Sequence, residues 1–145
     1  MRSESTCICI FVRNAGVWTA HTYIKGSNNE YEDRFGTSVA LTSAGDAIAI
    51  GSPSEDSSAT GIEGNETFED APGSGAAYLY RFSDDAWTQQ SYVKASNTDA
   101  NDAFGSAIAV SADAATLVVG ATGEASTNND PNDDTAAAAG AAYLY

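Results

Sequence analysis

Two stretches of this chain carry the same residues in the same order at a fixed spacing. Trp18, Tyr23, Lys25, Phe35, Gly36 and Gly51 recur as Trp87, Tyr92, Lys94, Phe104, Gly105 and Gly120, each pair 69 residues apart. Downstream the spacing falls to 65, because Gly75-Ala-Ala-Tyr-Leu-Tyr80 returns as Gly140-Ala-Ala-Tyr-Leu-Tyr145. Four residues are thus lost between Gly120 and Gly140 while both flanks keep their order. A rigid unit with one length-tolerant loop behaves this way, and repeats of this size stack into radial or linear arrays.

Within each copy the residues read as short strands. Thr37–Thr42 and Ser106–Ser111 are rich in small, β-compatible residues, and Ala47–Ile50 and Thr116–Val119 follow them. Ala44-Gly-Asp46 turns the first pair into a hairpin. In the second copy, Ala112-Asp-Ala-Ala115 lacks the turn glycine, which demands a less favourable backbone or a different turn. The polar stretch Ser52–Ser74, matched by Ala121–Ala139, carries the length difference and reads as a surface loop. Gly75–Phe82 and Trp87–Ala95 predict a third and a fourth strand, and Ser96–Ala103 links to the next Phe-Gly. Four antiparallel strands, a link and a restart make one blade of an all-β propeller. Helical repeats need a 3.6-residue apolar period, which is absent.

The expected domain is a partial β-propeller over 1–145, of about two blades. Residues 7–26 end a preceding blade, 35–95 form a full blade and 104–145 an incomplete one. Cys9–Val12 aligns with Tyr78–Arg81, which puts it on the third strand of the earlier blade. Small residues suit the crowded inner strands, and Trp18 and Trp87 are expected to pack between blades. Cys7 and Cys9 share one strand face and are read as packed apolar residues rather than a disulfide.

Charge narrows the partners. The net charge is −14, from 20 acidic against 6 basic side chains. Nucleic acid and anionic membrane surfaces are disfavoured, because both draw affinity from clustered Lys and Arg. No apolar run approaches the ~18 residues of a membrane span. The first residues make a poor secretory leader.

Phe35-Gly36 with Gly51-Ser-Pro53, and Phe104-Gly105 with Gly120-Ala-Thr122, resemble the FG-GAP repeat of integrin α-subunit propellers and their bacterial relatives. The flanking Trp87, the run Tyr92-Val-Lys-Ala-Ser-Asn97 and the long loop from Glu55 to Gly61 look like the bacterial branch. The resemblance implies a propeller that binds or adheres to a protein or glycan, extracellular or at the cell surface. A closed propeller needs more blades than these. The sequence is therefore expected to be a fragment of a longer protein, with edge-to-edge association of copies as the other route to closure.

Asn65, Thr67 and Glu69 in the first loop align with Asp130, Asn132 and Asp134 in the second. Oxygen donors at alternate positions are what a calcium loop supplies, and integrin-like propellers carry such loops, so the resemblance makes Ca²⁺ a candidate cofactor. The other reading is a solvated acidic loop, since Asp134 is followed by Thr135 rather than Gly and Pro131 interrupts the series. Asp33 and its repeat mate Asp102 precede each Phe-Gly; they read as turn caps, with metal binding as the second reading. Lys25 and Lys94 are expected to lay their stems on an outer strand with the ammonium in water. No Ser or Cys is paired with a base at a readable spacing, and His21 aligns with Gln90, so no catalytic role is expected. The alternative is a piece of a propeller lectin or hydrolase whose active residues lie on other blades.

Overall fold

The computed structural model describes residues 6–126 and 133–145. It contains nine strands in three antiparallel sheets, with no helix among the described residues. The first sheet is the hairpin β1 (Ile8–Asn14) and β2 (Val17–Ile24). The second is a meander of β3 (Ser38–Leu41), β4 (Ala47–Ser52), β5 (Ala76–Ser83) and β6 (Ala86–Val93). The third is β7 (Phe104–Val110), β8 (Leu117–Ala121) and β9 (Ala141–Leu144). The sheets stack in chain order as partial propeller blades and do not close on themselves.

The repeat extends to strand register. Tyr78 faces Tyr92 across β5 and β6, and Cys9 faces Tyr23 across β1 and β2. Both hairpins break register at the same place, after Leu79 and after Ile10.

Strand β4 is buried on both faces, and its alternation sorts the core into two layers. Ile48 and Ile50 join Phe35, Tyr78, Tyr80 and Tyr92 against the first sheet, with Ile8 and Ile10 packed onto them. Ala49 joins Val93, Phe104, Leu117 and Val119 against the third sheet. Phe35 and Phe104 sit edge-on to paired tyrosines in their own sheets, Tyr78 and Tyr80 in one, Tyr143 and Tyr145 in the other. Blades approach closely where side chains are smallest, through backbone–backbone and short side chain–backbone bonds. Phe104 N donates to Ser74 O at 2.9 Å, and Ser38 Oγ donates to Gly105 O at 2.7 Å.

Three expectations need correcting. Trp18 is 64% exposed, with the Arg13 guanidinium 5.9 Å from its ring centre, because no sheet precedes β1–β2 among the described residues. Trp87, in contrast, is half-buried against the core and tilts on Phe82. Cys7 and Cys9 are free and exposed, since Ile8 and Ile10 take the packed face of β1. The long loop is only partly a surface loop: Glu55, Ser57, Ala59 and Ser74 are buried. Residues 61–63 also run along the outer edge of β6, with Ile62 bridging to Val93.

Candidate functional site

Each repeat centres its polar chemistry on one buried glutamate in the long loop. Glu55 is 1% exposed and lies just beyond β4. Its Oε1 accepts from Asn28 Nδ2 and from the Tyr92 hydroxyl, both at 2.7 Å. Its Oε2 accepts from Lys94 Nζ at 2.7 Å and from Ser57 N at 3.2 Å. Lys94 Nζ also donates to Ser74 Oγ at 2.7 Å. The ammonium is therefore wholly buried, which corrects the expectation of a water-exposed head. Burial pulls the Lys94 pKa down even with Glu55 beside it. Burial, with the Glu55 charge adding to it, drives the Tyr92 hydroxyl far above its usual range. This cluster fastens loop, outer strand and preceding link to one another.

The second repeat builds the same centre without an outer strand. Glu124 is 2% exposed and accepts from Asn97 Nδ2 at 2.9 Å, Ser126 N at 2.9 Å and Ala125 N at 3.0 Å. Asn97 and Ser126 are the repeat mates of Asn28 and Ser57. The Tyr143 hydroxyl lies 2.7 Å from both Glu124 Oε2 and Asn97 Oδ1, the second contact repeating the bond from its mate Tyr78 to Asn28 Oδ1. Burial works to raise the Glu124 pKa, but hydrogen bonds led by Ser126 and Tyr143 hold it below the ordinary carboxylate value. None of the ion pairs among the described residues involves Glu124.

The links hold the second pair of buried acids. Asp33 Oδ2 accepts from Glu30 N at 2.7 Å, and Asp102 Oδ2 accepts from Asp99 N at 2.9 Å. Each Asp lies between two left-handed non-glycine residues, Glu32 and Arg34 in one copy, Asn101 and Ala103 in the other. Desolvation, opposed by the backbone hydrogen bond, raises both carboxyls to about 6.

The loop triplets fare differently. Asn65 Oδ1 accepts from Thr67 N at 3.1 Å and Thr67 Oγ1 at 2.8 Å, so two of the three first-loop donors are turned on each other. Burial and then Glu30 raise the Glu69 pKa. This set does not fit a calcium ion. In the second loop Asp130 and Asn132 lie outside the described residues. Asp134 is described and exposed, near enough to add to the raised pKa values of Asp99 and Asp102, for which burial is the main cause. Among the described residues no three His, Cys, Asp or Glu side chains are grouped to hold a metal.

Links and long loops leave the sheets at one end. There Asn28, Glu30, Glu66 and Glu69 border a shallow cleft, and Ser27 Oγ donates to Glu66 across it. Glu55, Glu124, Asn28 and Tyr143 were not singled out as site residues by sequence reasoning. The signal was present, since Glu55 with Glu124 and Asn28 with Asn97 keep the 69-residue spacing.

The family model described as FG-GAP repeat matches residues 87–145, taking in β6 from its second residue and the whole third sheet. No curated protein and no solved structure matches the chain.

Proposed function

The chain carries an FG-GAP repeat at residues 87–145, a propeller-type unit, and on that premise we propose that it is a non-enzymatic binding module. It engages a protein or glycan partner in an extracellular or cell-surface setting, as in adhesion. The observation that supports this reading is the division of labour among its acids. Glu55, Glu124, Asp33 and Asp102 are buried and occupied in fastening loops and links. Glu30, Glu66 and Glu69 at the loop end border an open cleft suited to reversible contact. Integrin α propellers and the bacterial FG-GAP branch are the proposed relatives.

Calcium enters this proposal through the second loop alone. At the three aligned positions the second loop offers two carboxylates, Asp130 and Asp134, where the first offers Glu69 alone, and Asp134 adds to the crowding of Asp99 and Asp102. A hard divalent cation relieves such crowding. Glycan and extracellular-protein arrays, probed with the chain in calcium and in chelator, test the reading. Binding that weakens in E66Q/E69Q supports it. Hydrolysis of an arrayed ligand, or binding indifferent to the loop-end acids, contradicts it.

A further inference from the structure

The long loop of the first repeat carries Asn65-Glu-Thr67, the one place in the sequence where an Asn is followed two residues on by Ser or Thr. Such a run accepts N-linked sugar when its amide can be reached, its hydroxyl engages that amide and no proline separates the two. All three conditions are met. Asn65 and Thr67 are exposed, and the residue between them is Glu66. Asn65 Oδ1 accepts from Thr67 N at 3.1 Å and from Thr67 Oγ1 at 2.8 Å. Its Nδ2 has no hydrogen-bond partner among the described residues. An Asn oxygen accepts while its nitrogen donates, and donors on the oxygen favour the imidic form, in which the nitrogen lone pair is free to attack. The backbone beneath is fixed, because the hydroxyl of buried Ser57 donates to Asn65 O at 3.0 Å. Glu66 does not compete for the amide. Its carboxylate takes the Ser27 hydroxyl, and its carbonyl takes Asn28 Nδ2 at 2.9 Å. Phe68, the residue after Thr67, is 46% exposed and offers an apolar ring beside the acceptor. The second repeat withdraws the site, since Asp130, Pro131 and Asn132 replace Asn65, Glu66 and Thr67. The acceptor is thus a property of one copy, not of the repeat frame.

We propose that Asn65 is the attachment site of an N-linked oligosaccharide. The proposal rests on the extracellular setting of the function proposed above. The donor is a lipid-linked diphospho-oligosaccharide, used by a transferase of the export pathway. Asn65 Nδ2 attacks the anomeric carbon of the first sugar. The nitrogen–carbon bond forms as the bond from that carbon to the phosphate oxygen breaks. The lipid diphosphate leaves with the electron pair, the amide gives up one proton to the transferase, and nothing is oxidised or reduced. The sugar then stands at the rim of the loop-end cleft, which Thr67 borders together with Glu66 and Glu69.

The test weighs the Asn65 peptide before and after treatment with peptide-N-glycosidase. The native protein is captured from medium and from cells with antibodies against this chain. Its Asn65 peptide is expected to be heavier by an oligosaccharide, which the glycosidase removes, leaving an aspartate in place of Asn65. The 145-residue chain, exported from a eukaryotic host behind a secretory leader, should carry the same kind of addition. There Asn65→Gln and Thr67→Val should abolish the mass shift, and Thr67→Ser should keep it. Without sugar the three variants should melt close to the parent chain, because both side chains are exposed. A bare Asn65 in the exported chain or in native protein from the medium overturns the inference and leaves the binding reading standing. So does a mass shift that survives Thr67→Val. Native protein confined to the cytoplasm overturns both.

Discussion

Lys94 is the residue on which the filled blade turns. An ammonium and a carboxylate taken from water each cost several kcal/mol, and only close pairing with added hydrogen bonds offsets that. Lys94→Met therefore leaves Glu55 charged and unanswered, and should lower unfolding free energy by about 3–5 kcal/mol. The double variant Lys94→Met with Glu55→Gln should recover a large part of that loss; urea melts of the three proteins check the order. A double variant no better than the single would contradict the pairing. Asp33 and Asp102 give a pH signature of opposite origin. Folded, they hold protons up to about pH 6, against 3.8 for an ordinary Asp. Between those values the folded state binds more protons than the unfolded one, so stability falls as pH rises through the window. Glu124 acts the other way, losing stability only as pH drops below its ordinary value of 4.5. Unfolding free energy should accordingly be greater near pH 5 than at pH 7.5, by on the order of 2 kcal/mol for the two aspartates together, and the melting temperature higher with it. The variant D33N/D102N should flatten the profile. A melting temperature that climbs steadily to neutrality would refute the assignment.

At the scale of elements, the hairpin turns show how much the repeat tolerates. Gly45 takes φ 73° in the turn between β3 and β4, and Ala114 takes φ 58° at the matching position between β7 and β8. The second turn thus keeps the glycine geometry without the glycine, the strained outcome of the two that the sequence left open. Ser111 eases it by accepting from Ala115 N at 3.1 Å and Thr116 N at 3.0 Å. Ala114→Gly should stabilise the protein by about 0.5–1 kcal/mol, because an L-residue with positive φ carries a steric cost that glycine lacks. Thermal melts check this, and a destabilised variant would contradict it. The strands and turns were legible because period-two alternation, turn residues and a second copy all pointed the same way. The links were less so: Asp33 announces a cap, but the left-handed pair around it has no composition signal, Glu32, Arg34 and Ala103 being ordinary residues. Lys94 was misread for a related reason. A lysine at a strand end belongs in water unless a distant acid waits for it, and Glu55 lies 39 residues away in a loop of changing length.

On the scale of the whole molecule, the stacking of sheets explains why matched residues differ in burial. Ile108 and Val110 on β7 pack against the second sheet. Their mates Val39 and Leu41 on β3 are 48% and 56% exposed, since the first sheet presents only two strands to them. The same logic separates two glycines. A Cβ on Gly105 would stand 2.4 Å from Ala76 O and 3.0 Å from Ser52 N, whereas one on Gly36 meets only the Ile8 side chain, at 3.2 Å. Both have φ near 90°. Gly36→Ala should cost about 1–2 kcal/mol from backbone strain. Gly105→Ala adds a clash between blades and should cost about 2 kcal/mol more; equal losses in chemical denaturation would contradict the packing. The fold class was readable from the repeat, while such asymmetries come from what stands beside each copy, which no single copy encodes. The most direct test of side-by-side blades is the contact where the second sheet hands over to the third. Phe104 N donates to Ser74 O, and Gly75 bridges in parallel to Phe104. Proton–proton Overhauser spectroscopy should find the Phe104 amide close to the α-protons of Ser74 and Gly75. Cross-peaks from that amide confined to residues 101–123 would contradict the account.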